Sequence, residues 1–259
     1  MNQSVTTISG QKRRVGALSA LIQEHLFREA AAWRVSPWIM GVIVIIPFGV
    51  ALAGVVAALV GKDAYKWFTS EDGFAESLQV LLYFSALVIC LVIARWQWKS
   101  GVKTVAVLYA GLCLGLFFLT GEELNWGQRI IGWGTAESFA EINKQGETNL
   151  HNIYGVGATF KWIQLLVGAY GTILPLAVLR WRVPDRFRDL VAWVIPPVSL
   201  ASYFVFLFVW RLFRNFMEEP EGFYFVIAEY NEVMELILAM GFLLFMVYQL
   251  RQIKSLKSK

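Results

Sequence analysis

Glu122, Glu123, Arg129, Glu147 and His151 fall within one stretch, Gly121–Asn152, which reads GEELNWGQRIIGWGTAESFAEINKQGETNLHN and lies between two long apolar runs. His151 is the only histidine outside the N-terminal region, where His25 sits. An imidazole among carboxylates is a donor set for Zn, Mn or Fe. Carboxylates with amide oxygens suit Ca or Mg instead, and Asn125, Gln128, Asn149 and Asn152 would supply them. No HExxH, HxxxH or paired ExxH spacing is present, so residue type alone carries the metal reading. Trp126 and Trp133 are interleaved with these groups and could stack on a substrate or anchor the stretch at a membrane interface. Its glycines do not form a phosphate loop, since no strand precedes them and no Lys-Ser/Thr ending follows; they suggest tight turns between short helices. Ile130–Ile142 reads as an amphipathic element, with Thr135 as a candidate N-cap, able to lie over the carboxylates.

A second line of acids, Glu229, Glu232 and Glu235, descends one helix at turn spacing. Fifteen residues separate Glu235 from Arg251, roughly 23 Å of helix, which is short of a hydrocarbon core of about 30 Å. Glu235 and Glu232 are therefore expected at membrane depth, pointing into protein, because a lipid-facing carboxylate there costs a few kcal/mol. The same count puts Glu76 and Glu122 at the outer boundary, each eighteen residues from a basic residue at the other end of its run. Asp72, Glu76, Glu122, Glu123, Glu229 and Glu232 thus share one level. Crowded carboxylates repel and need protons, Arg or Lys partners, or a cation.

The elements that must position these groups are membrane helices. The chain has 259 residues, 57% hydrophobic and 16% charged, against about a quarter charged in a soluble domain. Six spans are expected, at about 37–61, 74–96, 102–120, 153–179, 190–213 and 225–250. Pro47, Pro175 and the Pro196-Pro197 pair suggest kinks. The fold class is all-α, a polytopic helical bundle over residues 37–250 with an outer-face segment at 121–152. Residues 1–36 read as a basic leader followed by an amphipathic interfacial helix from Gly16 to Arg34, and 251–259 as a basic tail. Cys90 and Cys113 lie inside apolar runs and read as core residues. The basic connections (the N-terminus, 95–103, 180–188 and the tail) alternate with acidic ones, which implies both termini in the cytoplasm and the acids on the outer face. No basic patch for nucleic acid and no internal repeat are present.

The pattern GEELNWGQR…NKQGETNLHN resembles a signature of bacterial polytopic membrane proteins. That resemblance covers only this stretch; it implies a multi-pass protein of the bacterial inner membrane and carries over no activity and no residue role. The alkaline ceramidase-like intramembrane hydrolases are similar in placing acids near the outer ends of their spans around a buried zinc. This chain lacks their several zinc-binding histidines, so their mechanism does not transfer.

Together these readings predict a cation-dependent site opening to the outer face and acting on a lipid or lipid-linked substrate. Glu122, Glu123, His151 and Glu232 would hold a divalent ion. Glu147 or Glu76 would serve as general base. Arg129 or Lys161 would hold an anionic headgroup, with Trp126 against the substrate. Alternatively, Glu122 and Arg129, seven residues apart, pair structurally. Two rival functions are a cation or proton pathway through Glu229, Glu232 and Glu235, and a non-catalytic subunit or assembly factor of a membrane complex. Partners would be membrane lipids, other proteins or further copies of the chain.

Overall fold

The computed structural model describes residues 23–70, 73–144 and 146–257; Glu71, Asp72, the leader and the first residues of the expected amphipathic helix lie outside these. Among the described residues the chain is helical, without strands: α1 (23–33), α2 (Pro37–Val60), α3 (Lys62–Thr69), α4 (Phe74–Lys99), α5 (Lys103–Glu123), α6 (Gln128–Ile131), α7 (Glu137–Ala140), α8 (Val156–Arg180), α9 (Arg188–Val194), α10 (Ala201–Phe216) and α11 (Tyr224–Lys257). Six segments are long and apolar enough to cross a membrane: α2, the α3–α4 segment, α5, α8, the α9–α10 segment and α11. The six spans expected from hydropathy are all present.

The chain divides into two compact units at Ile45/Ile46. In the first, Ser36 opens α2 by accepting the N–H of Ile39 on its hydroxyl at 3.3 Å, and Ala30, Trp33 and Met40 are buried.

In the second unit, α4 packs on α5, α8 on α10, and α11 on both α4 and α10. Tyr83, Ala86, Cys90 and Ile93 of α4, Tyr109 and Leu116 of α5, Tyr203, Phe204 and Leu207 of α10, and Val233, Ile237 and Met246 of α11 form its core. Large apolar side chains such as Leu59, Leu81, Leu114 and Leu166 face outward, as a lipid-facing surface requires. The α8–α10 contact depends on small residues: a Cβ at Gly171 would lie 2.1 Å from the Phe204 ring. Cys90 and Cys113 are buried free thiols, as expected of core residues, and the Cys90 thiol donates to the Tyr109 carbonyl at 3.4 Å.

Pro47 and Pro175 are accommodated within α2 and α8, whereas Pro196 and Pro197 break the fifth span outright. Neither proline has an N–H, so the Ala192 and Trp193 carbonyls at the end of α9 lose their intrahelical donors. In a membrane such carbonyls must be met by other groups. Gln249 Nε2 donates to the Ala192 and Trp193 carbonyls at 2.9 and 3.3 Å, and the Tyr109 hydroxyl to Trp193 at 2.8 Å. The Tyr170 hydroxyl donates to the next carbonyl, Val194. α5, α8 and α11 each contribute one of these donors.

Candidate functional site

Gly121–Asn152 does not form the amphipathic element expected over Ile130–Ile142. Two one-turn helices, α6 and α7, flank an irregular segment at 132–136. Ala136, not Thr135, occupies the N-cap of α7. The Thr135 hydroxyl meets Gln128 and Thr148 instead, and Gln128 Oε1 accepts the Thr148 N–H at 2.9 Å. Of the amides expected as oxygen ligands, Gln128 is thus taken up by these threonines, and Asn125 and Asn149 bond each other. Asn149 Nδ2 donates to Asn125 Oδ1 at 2.8 Å, and Asn143 Nδ2 to Asn149 Oδ1 at 3.0 Å, with all three residues buried. Asn149 Nδ2 also reaches Glu147 Oε2 at 3.0 Å. An isolated antiparallel bridge between Asn143 and Ile153 closes the segment onto the start of α8.

Glu122 fastens this assembly to α5. Its Oε1 accepts the Trp126 indole N–H at 2.6 Å, and its Oε2 accepts the N–H groups of Leu150 and His151, both at 2.8 Å, with His151 Nδ1 at 3.1 Å. A carboxylate at a helix C-terminus opposes the helix dipole, and these donors offset that cost. Asn125 and Trp126 adopt φ of 48° and 53°, a left-handed turn that is uncommon for a residue as bulky as tryptophan. It folds the Trp126 ring back over Gly121, where a Cβ would lie 3.0 Å from the ring, and edge-on to Phe117 and Phe118. Trp126 is therefore a packing residue of α5.

Beneath this assembly is a cavity of ≈710 Å³ enclosed by α3, α4, α5, α8, α10 and α11. Among the described residues, Lys161 and the expected acids Glu76, Glu122, Glu123, Glu229, Glu232 and Glu235 line it, Glu147 does not, and His151 lies at the edge of the loop. Trp126 and Arg129 do not line it either. Arg129 does not pair with Glu122, the alternative that their spacing allows. Its Nη1 lies 3.2 Å from Glu76 Oε1 and donates to the Glu123 carbonyl at 2.9 Å.

The lining carboxylates differ in how they are satisfied. Glu235 accepts from Gln164 at 2.9 Å, from Arg211 at 3.4 Å and from Asn231. Glu232 is met by a neutral partner, Gln79 Nε2, at 3.1 Å. Glu123 is only 8% exposed, yet among the described residues its carboxyl has neither a hydrogen bond nor an ion pair. The charges acting on it are Glu235, Glu232 and Glu76, with Arg129 as the one cation among the described residues. No trio of His, Cys, Asp or Glu side chains among the described residues is placed to hold a metal ion. In the expected quartet of Glu122, Glu123, His151 and Glu232, the oxygens of Glu122 are already occupied by the loop.

Sequence reasoning missed Gln79 and Gln164. A glutamine in an otherwise apolar span is itself a signal, because its amide needs a buried partner there, and here both partners are acids of α11. No family model, curated protein or solved structure matches the chain.

Proposed function

We propose that this protein binds the headgroup of a membrane lipid or lipid-linked substrate in the charged cavity and works on it by side-chain acid–base chemistry centred on Glu123. One observation carries the reading: Glu123 is a buried carboxyl without a hydrogen-bond or ion-pair partner among the described residues, lining a cavity bounded by membrane-length helices. Retaining such a group is costly for a fold, and ionisable groups inside a membrane or at its boundary serve function by default. Glu123 is the proton acceptor for a water or hydroxyl in the cavity. Lys161, Arg211 and Arg214 line the same space and hold anionic charge on the substrate. Glu147, off the cavity wall and bonded to Asn149, has no part in this proposal. A divalent ion, if bound, would use Glu123 and Glu232 rather than Glu122.

The alternation of basic and acidic connections supports a multi-pass protein of the bacterial cytoplasmic membrane, with both termini inside, the α1 face on the membrane surface and the cavity open to the outside.

A cation or proton pathway is the second reading, favoured by the fact that Glu229, Glu232 and Glu235 all line the cavity. Against it, α11 below Glu235 buries Leu236, Ile237, Leu238, Ala239, Phe245 and Met246, an apolar plug. The deciding experiment is reconstitution into liposomes of a total bacterial lipid extract, with lipid products followed by mass spectrometry. A product formed by wild type and lost in Glu123→Gln supports the proposal. An unchanged lipid profile, with ion uptake abolished by Glu235→Gln, would replace it with the pathway.

A further inference from the structure

The charges around the cavity are sorted, and pairing them off leaves a remainder. Glu76 has Arg129, Glu122 has His151, Glu235 has Arg211, and Arg214 has Glu219. Lys66 is the cation acting on Glu229, although no ion pair joins the two among the described residues. On the acid side Glu123 and Glu232 remain, without a cation in contact among the described residues. On the basic side Lys144 and Lys161 remain, also without an ion pair among the described residues.

The two remainders feel different charges, although Glu235 and Glu232 act on Glu123 and on Arg211 alike. The charges acting on Lys161 are Arg214, Arg211, Lys144 and Glu219, three cations and one acid, whereas those acting on Glu123 are three acids and one cation. Each neighbourhood also holds an unused group. Glu123 is more than nine-tenths buried and unpartnered, and Arg211, 4% exposed, has a buried Nε with no hydrogen-bond partner. A fold that sought only stability would pair the leftover acids with the leftover bases; here all four line one cavity with no ion pair between them among the described residues.

We infer that the cavity takes a zwitterionic headgroup of the phosphoethanolamine type, its phosphate on Lys161, Lys144 and Arg211 and its primary ammonium on Glu123 and Glu232. This rests on the reading of the cavity as a headgroup site. A purely anionic headgroup would leave Glu123 and Glu232 uncompensated, and a simple cation would leave Lys144 and Lys161 so. A primary ammonium supplies three N–H donors, which open carboxylate oxygens accept; a trimethylammonium supplies none. A guanidinium fork and lysine ammonium groups are suited to phosphate oxygens.

The test is native mass spectrometry of the purified full-length protein in detergent, with equimolar short-chain phosphatidylethanolamine, phosphatidylcholine and phosphatidylglycerol in competition. Phosphatidylethanolamine should be retained about tenfold over each of the others. Glu123→Gln should remove that preference while leaving phosphatidylglycerol binding intact, and Lys161→Ala should weaken all three. Glu232→Gln, checked like Glu123→Gln for monodispersity, should shift selectivity in the same direction. Free phosphoethanolamine added as competitor separates the two sources of the chemistry. Displacement at equal concentration identifies a soluble ligand, and retention of the lipid identifies a membrane one; either keeps the zwitterion. Equal retention of phosphatidylglycerol or phosphatidylcholine overturns the inference but leaves a headgroup cavity. Retention of no lipid and no phosphoethanolamine overturns both. A retained phosphatidylethanolamine that is never chemically altered overturns only the acid–base chemistry.

Discussion

One oxygen of Glu122 receives both the backbone N–H of His151, at 2.8 Å, and its ring Nδ1, at 3.1 Å. The histidine that looks like a metal ligand in the sequence is thus tied at backbone and ring to the carboxylate that looks like its co-ligand. Because the backbone bond and the Leu150 bond persist without the ring, the two residues are unequal partners.

Glu122→Ala should release the loop, orphaning the Leu150 and His151 N–H groups and the Trp126 indole, at roughly 3–5 kcal/mol. His151→Ala keeps the backbone bond to Glu122, loses the ring bond and the edge-on contact with Phe160, and should cost about 1 kcal/mol. Limited proteolysis and hydrogen exchange over residues 146–153 measure the contrast. Equal protection in both variants would show that Glu122 does not hold the loop.

Glu123→Gln should leave thermal stability unchanged or raise it, because it replaces a buried ionisable group that has no partner among the described residues. The same substitution should abolish ligand selectivity. Stability gained where binding is lost is the mark of a functional group, and a melting temperature lowered as far as by Glu122→Ala would show Glu123 to be structural.

Arg211 and Glu235 form a pair in which both side chains are largely buried. Arg211→Ala alone should destabilise by roughly 3–5 kcal/mol, since it strands a carboxylate. The double variant Arg211→Ala with Glu235→Ala should recover part of that loss. Additive effects in thermal unfolding would show the two to be uncoupled.

Gly171→Ala drives a Cβ into the Phe204 ring and should cost about 1–3 kcal/mol by forcing α8 from α10. Gly115 of α5, where an added Cβ would meet no atom within 4 Å, is the control: its alanine variant should be neutral or stabilised by up to about 1 kcal/mol. Melting temperatures of the two variants should move apart.

The proposed orientation is open to a labelling experiment on intact cells. Ser138 of α7 and Ser100 after α4 are both exposed, while the native Cys90 and Cys113 are buried. A membrane-impermeant maleimide should modify the Ser138→Cys protein in intact cells and the Ser100→Cys protein only after lysis. The reverse pattern would invert the topology.

The spans were legible because apolar runs of membrane length leave few alternatives, and counting residues to Arg251 pointed Glu232 and Glu235 inward, where the cavity lies. Three features were not legible. That Glu122 serves a loop while its neighbour Glu123 faces the cavity depends on the left-handed turn at Asn125 and Trp126, and a pair EE does not disclose which member turns which way. The mutual bonding of Asn125, Asn143 and Asn149 joins residues up to 24 positions apart and has no period to detect. Proline placement announced an irregularity in the fifth span but not which side chains would meet the released carbonyls.

Those carbonyls give the fifth span an unusual mechanical character. α10 is clasped to α8 through Gly171 and Phe204, and its Arg211 reaches the cavity. α9, across the proline break, is anchored instead by side chains of α5, α8 and α11. The two halves of one span are thus held by different side chains, though both rest on α8 and α11. Continuous helical hydrogen bonding does not couple them, so a tilt of α10 that opens or closes the basic side of the cavity need not drag α9 with it. On the headgroup site proposed above, such a tilt would admit and release the ligand at one membrane face while the opposite face stays sealed.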